Sequence, residues 1–145
     1  MPSDSPRFVT VSSLRHFYSG EIGGLLVALR VTHPHLETRQ LEIKLGHQLM
    51  DKLKRACAAK DETAHCHVLW QITALLITIS GVFRPLINSV AWSHVELFTS
   101  AAVQSAIECW QWHTSSRPDL EFCFLQEMVH HLLQNISFLN NFIKI

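Results

Sequence analysis

Apolar residues recur at intervals of three and four along most of the chain, the spacing that turns one face of an α-helix toward a core. From Ser13, expected as an N-cap, Leu14, Phe17, Tyr18, Ile22, Leu25, Leu26 and Leu29 predict a first helix ending near Val31, before Thr32-His33-Pro34. A second helix, about His35 to Ala59, carries Leu41, Leu45, Leu49 and Leu53 four apart, widened by Ile43, Met50 and Cys57. Lys44, Gln48, Asp51, Lys52 and Arg55 fill its other side, so it is amphipathic. The third, about Thr63 to Ser80, is apolar nearly all round through Val68, Leu69, Trp70, Ile72, Leu75, Leu76, Ile77 and Ile79. Such a helix is either enclosed by protein or spans a bilayer, and spanning needs about 20 predominantly apolar residues. The run from Val68 to Phe83 is shorter and is broken by Gln71, Thr73, Thr78 and Ser80, which predicts burial.

Gly81 is expected to end that helix as its C′ residue, and Arg84-Pro85 to open a fourth, Leu86 to about Phe98, with Ile87, Val90, Ala91, Val95 and Phe98 facing in. Thr99 or Ser100 caps a fifth helix, Ala101 to His113, closed by Trp110 and Trp112. After the polar break Ser115-Ser116-Arg117, Pro118-Asp119 starts a sixth helix to about Leu133, with Leu120, Phe124, Leu125 and Met128 on one side. The expected fold is all-α, an irregular α-solenoid segment of about six helices in three helical hairpins. Residues 1–12 read as a flexible lead-in, 13–133 as the helical domain and 134–145 as an apolar C-terminal tail. Gly20, Gly23 and Gly24 each cost about 1 kcal/mol against alanine inside a helix, which predicts close contact with another helix or a break there.

Composition supports this picture and removes several functions from it. Hydrophobic residues make up 48% of the 145 residues, and five glycines and five prolines leave few turn signals. Twelve basic residues balance twelve acidic ones, so no excess charge points to nucleic acid or to an anionic membrane surface. Cys57, Cys66, Cys109 and Cys123 lie within apolar helical patterns and read as reduced thiols packed like small hydrophobes. The N-terminus has no basic start followed by an apolar run, so no secretory signal is expected and the Asn135-Ile-Ser137 sequon is taken as chance.

Ten histidines raise the question of a metal, above all His65-Cys66-His67, His33-Pro34-His35 and His130-His131. Neither helical i, i+4 pairs with further ligands nor C-x-x-C knuckles occur, and at 3.6 residues per turn His65 and His67 point about 200° apart. They read as surface or capping histidines. No family signature surrounds a cysteine to mark a nucleophile, and no Walker loop, G-x-G-x-x-G or kinase H-R-D or D-F-G element is present. Trp70, Trp92, Trp110 and Trp112 lack an interleaved basic patch and read as packing residues rather than a base-stacking platform. No catalytic, cofactor-binding or metal-binding residue is assigned.

Three blocks in order carry a resemblance. Leu14, Tyr18, Gly20, Glu21, Ile22, Gly24 and Leu25 resemble an L-x-x-x-Y-x-G-E-hydrophobic-x-G-hydrophobic segment in the helical region of the type III alpha phosphatidylinositol 4-kinases. His67-Val-Leu-Trp-Gln-Ile-Thr-Ala-Leu-Leu-Ile77 is similar to that family's apolar "KLTAMLI" helix. Trp92, Ala106-Ile-Glu-Cys-Trp-Gln-Trp112 and Phe124-Leu-Gln-Glu-Met128 resemble its "ACWEWLL…FMREM" pair. The resemblance implies a piece of the α-solenoid that precedes the lipid-kinase domain. It would be a non-catalytic scaffold contributing to phosphatidylinositol 4-phosphate synthesis through the full-length enzyme, cytoplasmic and peripheral to the plasma membrane. ATP and magnesium would belong to the kinase domain, whose catalytic residues fall outside these positions. The implied partners are the rest of the kinase, a tetratricopeptide scaffold subunit and hyccin, with self-association through uncovered apolar faces. Beyond Val129 the sequence departs from the family's pattern, which together with Met1 reads as a truncated or alternative product. The competing reading is a free-standing helical adaptor binding a partner helix beside Trp92 and Trp110, and a third is a small metal or thiol enzyme.

Overall fold

The structure, a computed structural model, describes the backbone of residues 11–79 and 81–143, without the side chains of Val11, His131 and 134–143. Most of the expected lead-in, the Ser80 end of helix three and the side chains of the Asn135 sequon therefore lie outside the described residues. The described residues form α1 (Val11–Thr32), α2 (Thr38–Ala59), α3 (Glu62–Thr78), α4 (Arg84–Glu96), α5 (Ser100–Ser116) and α6 (Glu121–Ile143), with a 3-10 turn over Pro118–Leu120. They contain no strand, and the fold is all-α.

Neighbouring helices sort into two layers. In one, α3 lies between α1 and α5, and in the other α4 lies between α2 and α6; α3 also packs across onto α2 and α4, and α4 onto α5. This is the stacking of successive helix pairs that defines an α-solenoid. The reason is visible in α3, where every residue from Val68 to Leu76 is buried. A helix without a polar face must be surrounded, and four neighbours surround it. Across the first layer Tyr18, Trp70 and Trp112 form an aromatic ladder, with ring centroids 5.8 and 5.3 Å apart.

The helix ends show how local chemistry sets the boundaries. The α2 N-terminus carries a capping box: the Glu37 side chain accepts from the Gln40 amide, and Gln40 Oε1 accepts the Glu37 N–H at 2.8 Å. The helix therefore begins at Thr38 rather than His35. It closes on Lys60 in the left-handed conformation (φ 54°), where the Lys60 amide donates to Cys57 O and the Asp61 amide to Ala56 O. Asp61 then caps α3 by accepting the Ala64 N–H at 3.1 Å, and Thr99 caps α5 by accepting the Ala102 N–H at 3.1 Å.

Several sequence expectations are corrected. Ser13 is not the N-cap of α1, because the helix already begins at Val11. Gly81 is not a left-handed C′ residue, since no described glycine has positive φ and the chain leaves α3 through extended Ile79. The open carbonyls there are met from α5's far end instead. Arg117 Nη1 donates to Leu76 O at 3.2 Å and Ile79 O at 2.6 Å, while Nε and Nη2 grip the Asp119 carboxylate at 3.0 and 2.9 Å. A guanidinium fork can serve both tasks, and its charge suits the negative end of a helix. Because α4 stops at Glu96, Phe98 falls in the connector and is 78% exposed, and Val95 is also exposed; Leu97 turns inward in their place. In the other direction, α5 runs past His113 to Ser116, and α6 continues through the expected tail to Ile143.

The glycines also depart from expectation. Gly20, Gly23 and Gly24 sit in an unbroken helix, and a Cβ at any of them would meet nothing within 4 Å. Gly46 is where closeness matters: a Cβ there would lie 2.7 Å from the Phe83 ring, so the missing side chain lets α2 approach the start of α4.

Two substitutions check this description by chemical denaturation. Gly23→Ala should raise stability by about 0.5–1 kcal/mol, because it gains helix propensity on an open face. Arg117→Ala should lower it by about 2–3 kcal/mol through loss of charged hydrogen bonds to the end of α3.

Candidate functional site

The residues that carry chemistry divide between α3's two flanks. Between α1 and α3, the Tyr18 hydroxyl and His67 Nδ1 share a hydrogen bond of 3.0 Å, Glu21 Oε1 lies 3.7 Å from His67 Nε2, and Gln71 Nε2 donates to Glu21 Oε1 at 2.7 Å. The order Tyr–His–Glu has the connectivity of an activated nucleophile, a base and an orienting acid. Its electrostatics run the wrong way. Burial, with the nearby Cys66 and Glu21, pushes the Tyr18 hydroxyl up to about 12, so the proton is held. The cluster instead ties α1 to α3 with polar bonds at the edge of the core.

On the other flank, His65 is fully buried, its ring near Ser93 and His94. Burial pushes it below the ordinary imidazole range, partly offset by the Ser93 backbone, with His94 adding to the fall. His113 is also fully buried, 5.2 Å from the Phe124 ring, and neither histidine has a hydrogen-bonded ring nitrogen. Burial and the Arg117 charge push His113 down to about 4, against the opposing pull of Asp119. The expectation of surface or capping histidines is therefore corrected for these two. The signal lay in their helical phase, since His65 precedes Leu69 by four and His113 follows Cys109 by four, in the buried stripes of α3 and α5.

The other histidine pairs of the sequence lie elsewhere. His33 and His35 occupy the α1–α2 connection with rings 6.3 Å apart, and His33 Nδ1 shares a hydrogen bond of 2.8 Å with the Thr32 hydroxyl. His130 is exposed on α6, and the side chain of His131 lies outside the described residues. Among the described residues no group of three or more His, Cys, Asp or Glu side chains is placed to hold a metal ion.

All four cysteines are unpaired. Burial, reinforced by Glu96, raises the Cys57 thiol, and burial raises Cys109 strongly against a smaller opposing influence of nearby Thr73. Both shifts oppose the thiolate that a nucleophile requires. Cys66 accepts a hydrogen bond from the Ser105 hydroxyl at 3.2 Å.

The tryptophans serve packing. Trp70 and Trp112 are buried, the Trp110 N–H donates to Val90 O at 2.9 Å, and the Trp92 N–H donates to Glu127 O at 3.2 Å. Trp92 also lines a hollow of about 490 Å³ between α2 and α4, with Met50, Leu53, Cys57 and the charged Lys54 and Glu96. Trp110 does not line it, so the groove beside both tryptophans is confined to Trp92.

Apolar surface lies open at both extremes of the stack: Phe17, Val27 and Val31 on α1, and Phe122, Leu125, Val129, Leu132 and Leu133 on α6. No helix among the described residues is long and apolar enough to cross a membrane. These features define a stacked all-α segment whose ends present apolar faces. The sequence model of the PI4-kinase N-terminal region matches residues 32–138, well over half of the chain, and the chain belongs to that family. The match includes the second and third resembling blocks. It also runs past Val129, where a departure was expected, and α6 continues there as well.

The buried histidines predict acid lability. A folded-state pKa below the unfolded value leaves stability intact above about pH 6.5 and lowers it as pH falls toward about 4. His113 alone should account for roughly 2–3 kcal/mol lost across that window. Urea midpoints at both ends of it should show the drop, and His113→Leu should flatten it.

Proposed function

We propose that this chain is a non-catalytic helical scaffold segment of a phosphatidylinositol 4-kinase, serving phosphatidylinositol 4-phosphate synthesis through the enzyme to which it belongs. The observation that carries this reading is the family match over α2 to α6. The chemistry of the core supports it: a protonated tyrosine, raised thiols and neutral buried imidazoles are suited to holding helices together. ATP and magnesium then belong to a kinase domain outside these residues. The outer face of α1, where Phe17, Val27 and Val31 flank the small residues Gly20, Gly23 and Gly24, offers a surface on which another helix can lie close. Its occupants in this reading are the rest of the kinase or its scaffold subunits, a tetratricopeptide protein and hyccin, at the cytoplasmic side of the plasma membrane.

A second reading, a free-standing adaptor, draws on the hollow beside Trp92, which could accept one apolar face of a partner helix. The two separate by substitution. In the scaffold reading, Val27→Glu abolishes co-purification with the remainder of the kinase and Lys54→Glu leaves it intact; the reverse pattern selects the adaptor. The purified chain, given phosphatidylinositol and radiolabelled ATP with magnesium, should transfer no label above background. Label in the lipid would overturn the non-catalytic assignment.

A further inference from the structure

The hollow between α2 and α4 differs in kind from the apolar ends of the stack. Its walls are Met50 and Leu53 from α2 and Trp92 and Val95 from α4, with Cys57 beside them. At about 490 Å³ it falls in the range of sites that enclose small molecules, roughly 300 to 1,000 Å³. Three polar side chains border the same space. Lys54 stands on its α2 side, and Ser93 and Glu96, about one turn apart, on its α4 side.

The chain itself satisfies none of the three. Lys54 and Glu96 form no ion pair or hydrogen bond with any described residue, each other included. Ser93 is 5% exposed, and its hydroxyl is buried without a hydrogen bond. A hydroxyl so placed destabilises the chain until something bonds to it. Glu96 is the last residue of α4, where the carbonyl end of the helix dipole disfavours a negative charge. Its carboxylate also acts on the Cys57 thiol, so the charge bears on the hollow as well as on solvent. A cation beside Glu96 and Ser93 would answer the carboxylate, the helix end and the hydroxyl together, and an anion opposite would answer Lys54.

We propose that this hollow binds a small apolar α-amino acid, with its side chain against Met50, Leu53 and Trp92, its ammonium on Glu96 and Ser93, and its carboxylate on Lys54. An ammonium has three N–H groups to give and accepts nothing, which suits a carboxylate and a hydroxyl oxygen as joint acceptors. The two charges of such a ligand branch from one carbon, a compact match to a mouth that carries one acid and one base. A fatty acid would bring a like charge to Glu96, and a simple amine would leave Lys54 unanswered. The inference gives the hollow an occupant other than the helix of the adaptor reading. It uses a different face of the molecule from the scaffold reading, which rests on α1, and stands whether or not that reading holds.

Proton–nitrogen spectra of the isotopically labelled full chain test this. L-phenylalanine added to about 20 mM should shift the Trp92 indole N–H signal, identified by its loss in Trp92→Phe, with a Kd of roughly 1 mM. Phenethylamine and 3-phenylpropionate each keep the ring and one charge, and should bind about three- to tenfold more weakly. Lys54→Gln should bring L-phenylalanine down to the affinity of phenethylamine, and Glu96→Gln down to that of 3-phenylpropionate. Ser93→Ala should weaken both amines and spare 3-phenylpropionate, without lowering the urea midpoint. Alkylation of Cys57 by iodoacetamide, read by peptide mass spectrometry, should slow in the presence of L-phenylalanine while that of Cys123 does not change. Absence of a Trp92 shift, or a shift without protection of Cys57, would overturn the site. Equal affinity for the three probes, or indifference to both glutamine substitutions, would overturn the amino-acid assignment.

Discussion

Helix α3 has no face that water can wet, and the architecture answers that constraint. Nine consecutive residues, Val68 to Leu76, are buried, so neighbours must stand on every side. α1 and α5 flank α3 within its own layer, while α2 and α4 close the other side. Trp70 sits at the centre, stacked on Tyr18 and tilted against Trp112. A side chain of that size, truncated in a core, typically costs about 3–5 kcal/mol, comparable with much of a small domain's stability.

Enclosure of α3 also decides what its polar groups can do. The Thr73 hydroxyl donates back to Leu69 O at 2.8 Å, and Gln71 Nε2 reaches out to Glu21, leaving Gln71 Oε1 buried without a partner. His65, on the same helix, and His113, on α5, are buried, which penalises the charged imidazolium more than the neutral ring. Burial likewise shifts Tyr18, Cys57 and Cys109 toward their neutral forms, whereas Arg117 and Asp119, bonded to each other, shift toward their charged ones.

A stack closed around α3 leaves its extremes open, and the two are different in kind. The outer side of α1 is flat and small, with three glycines between Phe17, Val27 and Val31, so another backbone can approach it closely. The outer side of α6 instead presents larger side chains, Phe122, Leu125, Val129, Leu132 and Leu133.

The number of helices, their type and the enclosure of α3 were all legible in the chain, because a 3.6-residue repeat of apolar positions has few ways to satisfy itself. Capping by Thr99 was readable for the same local reason. The apolar side of α6 was read from spacing as Leu120, Phe124, Leu125 and Met128, but packing on α4 buried Leu120 and Phe124 and left Leu125 exposed. Tertiary structure alone decided the end of α3, where a guanidinium from beyond α5 replaces the glycine cap that local rules favour. It decided too that His65 and His113 are core residues, that Phe98 is not, and that Gly46 rather than Gly23 marks a close approach. Periodicity fixes which face of a helix is apolar; which neighbour meets that face, and how near it comes, is settled by packing between segments distant in sequence.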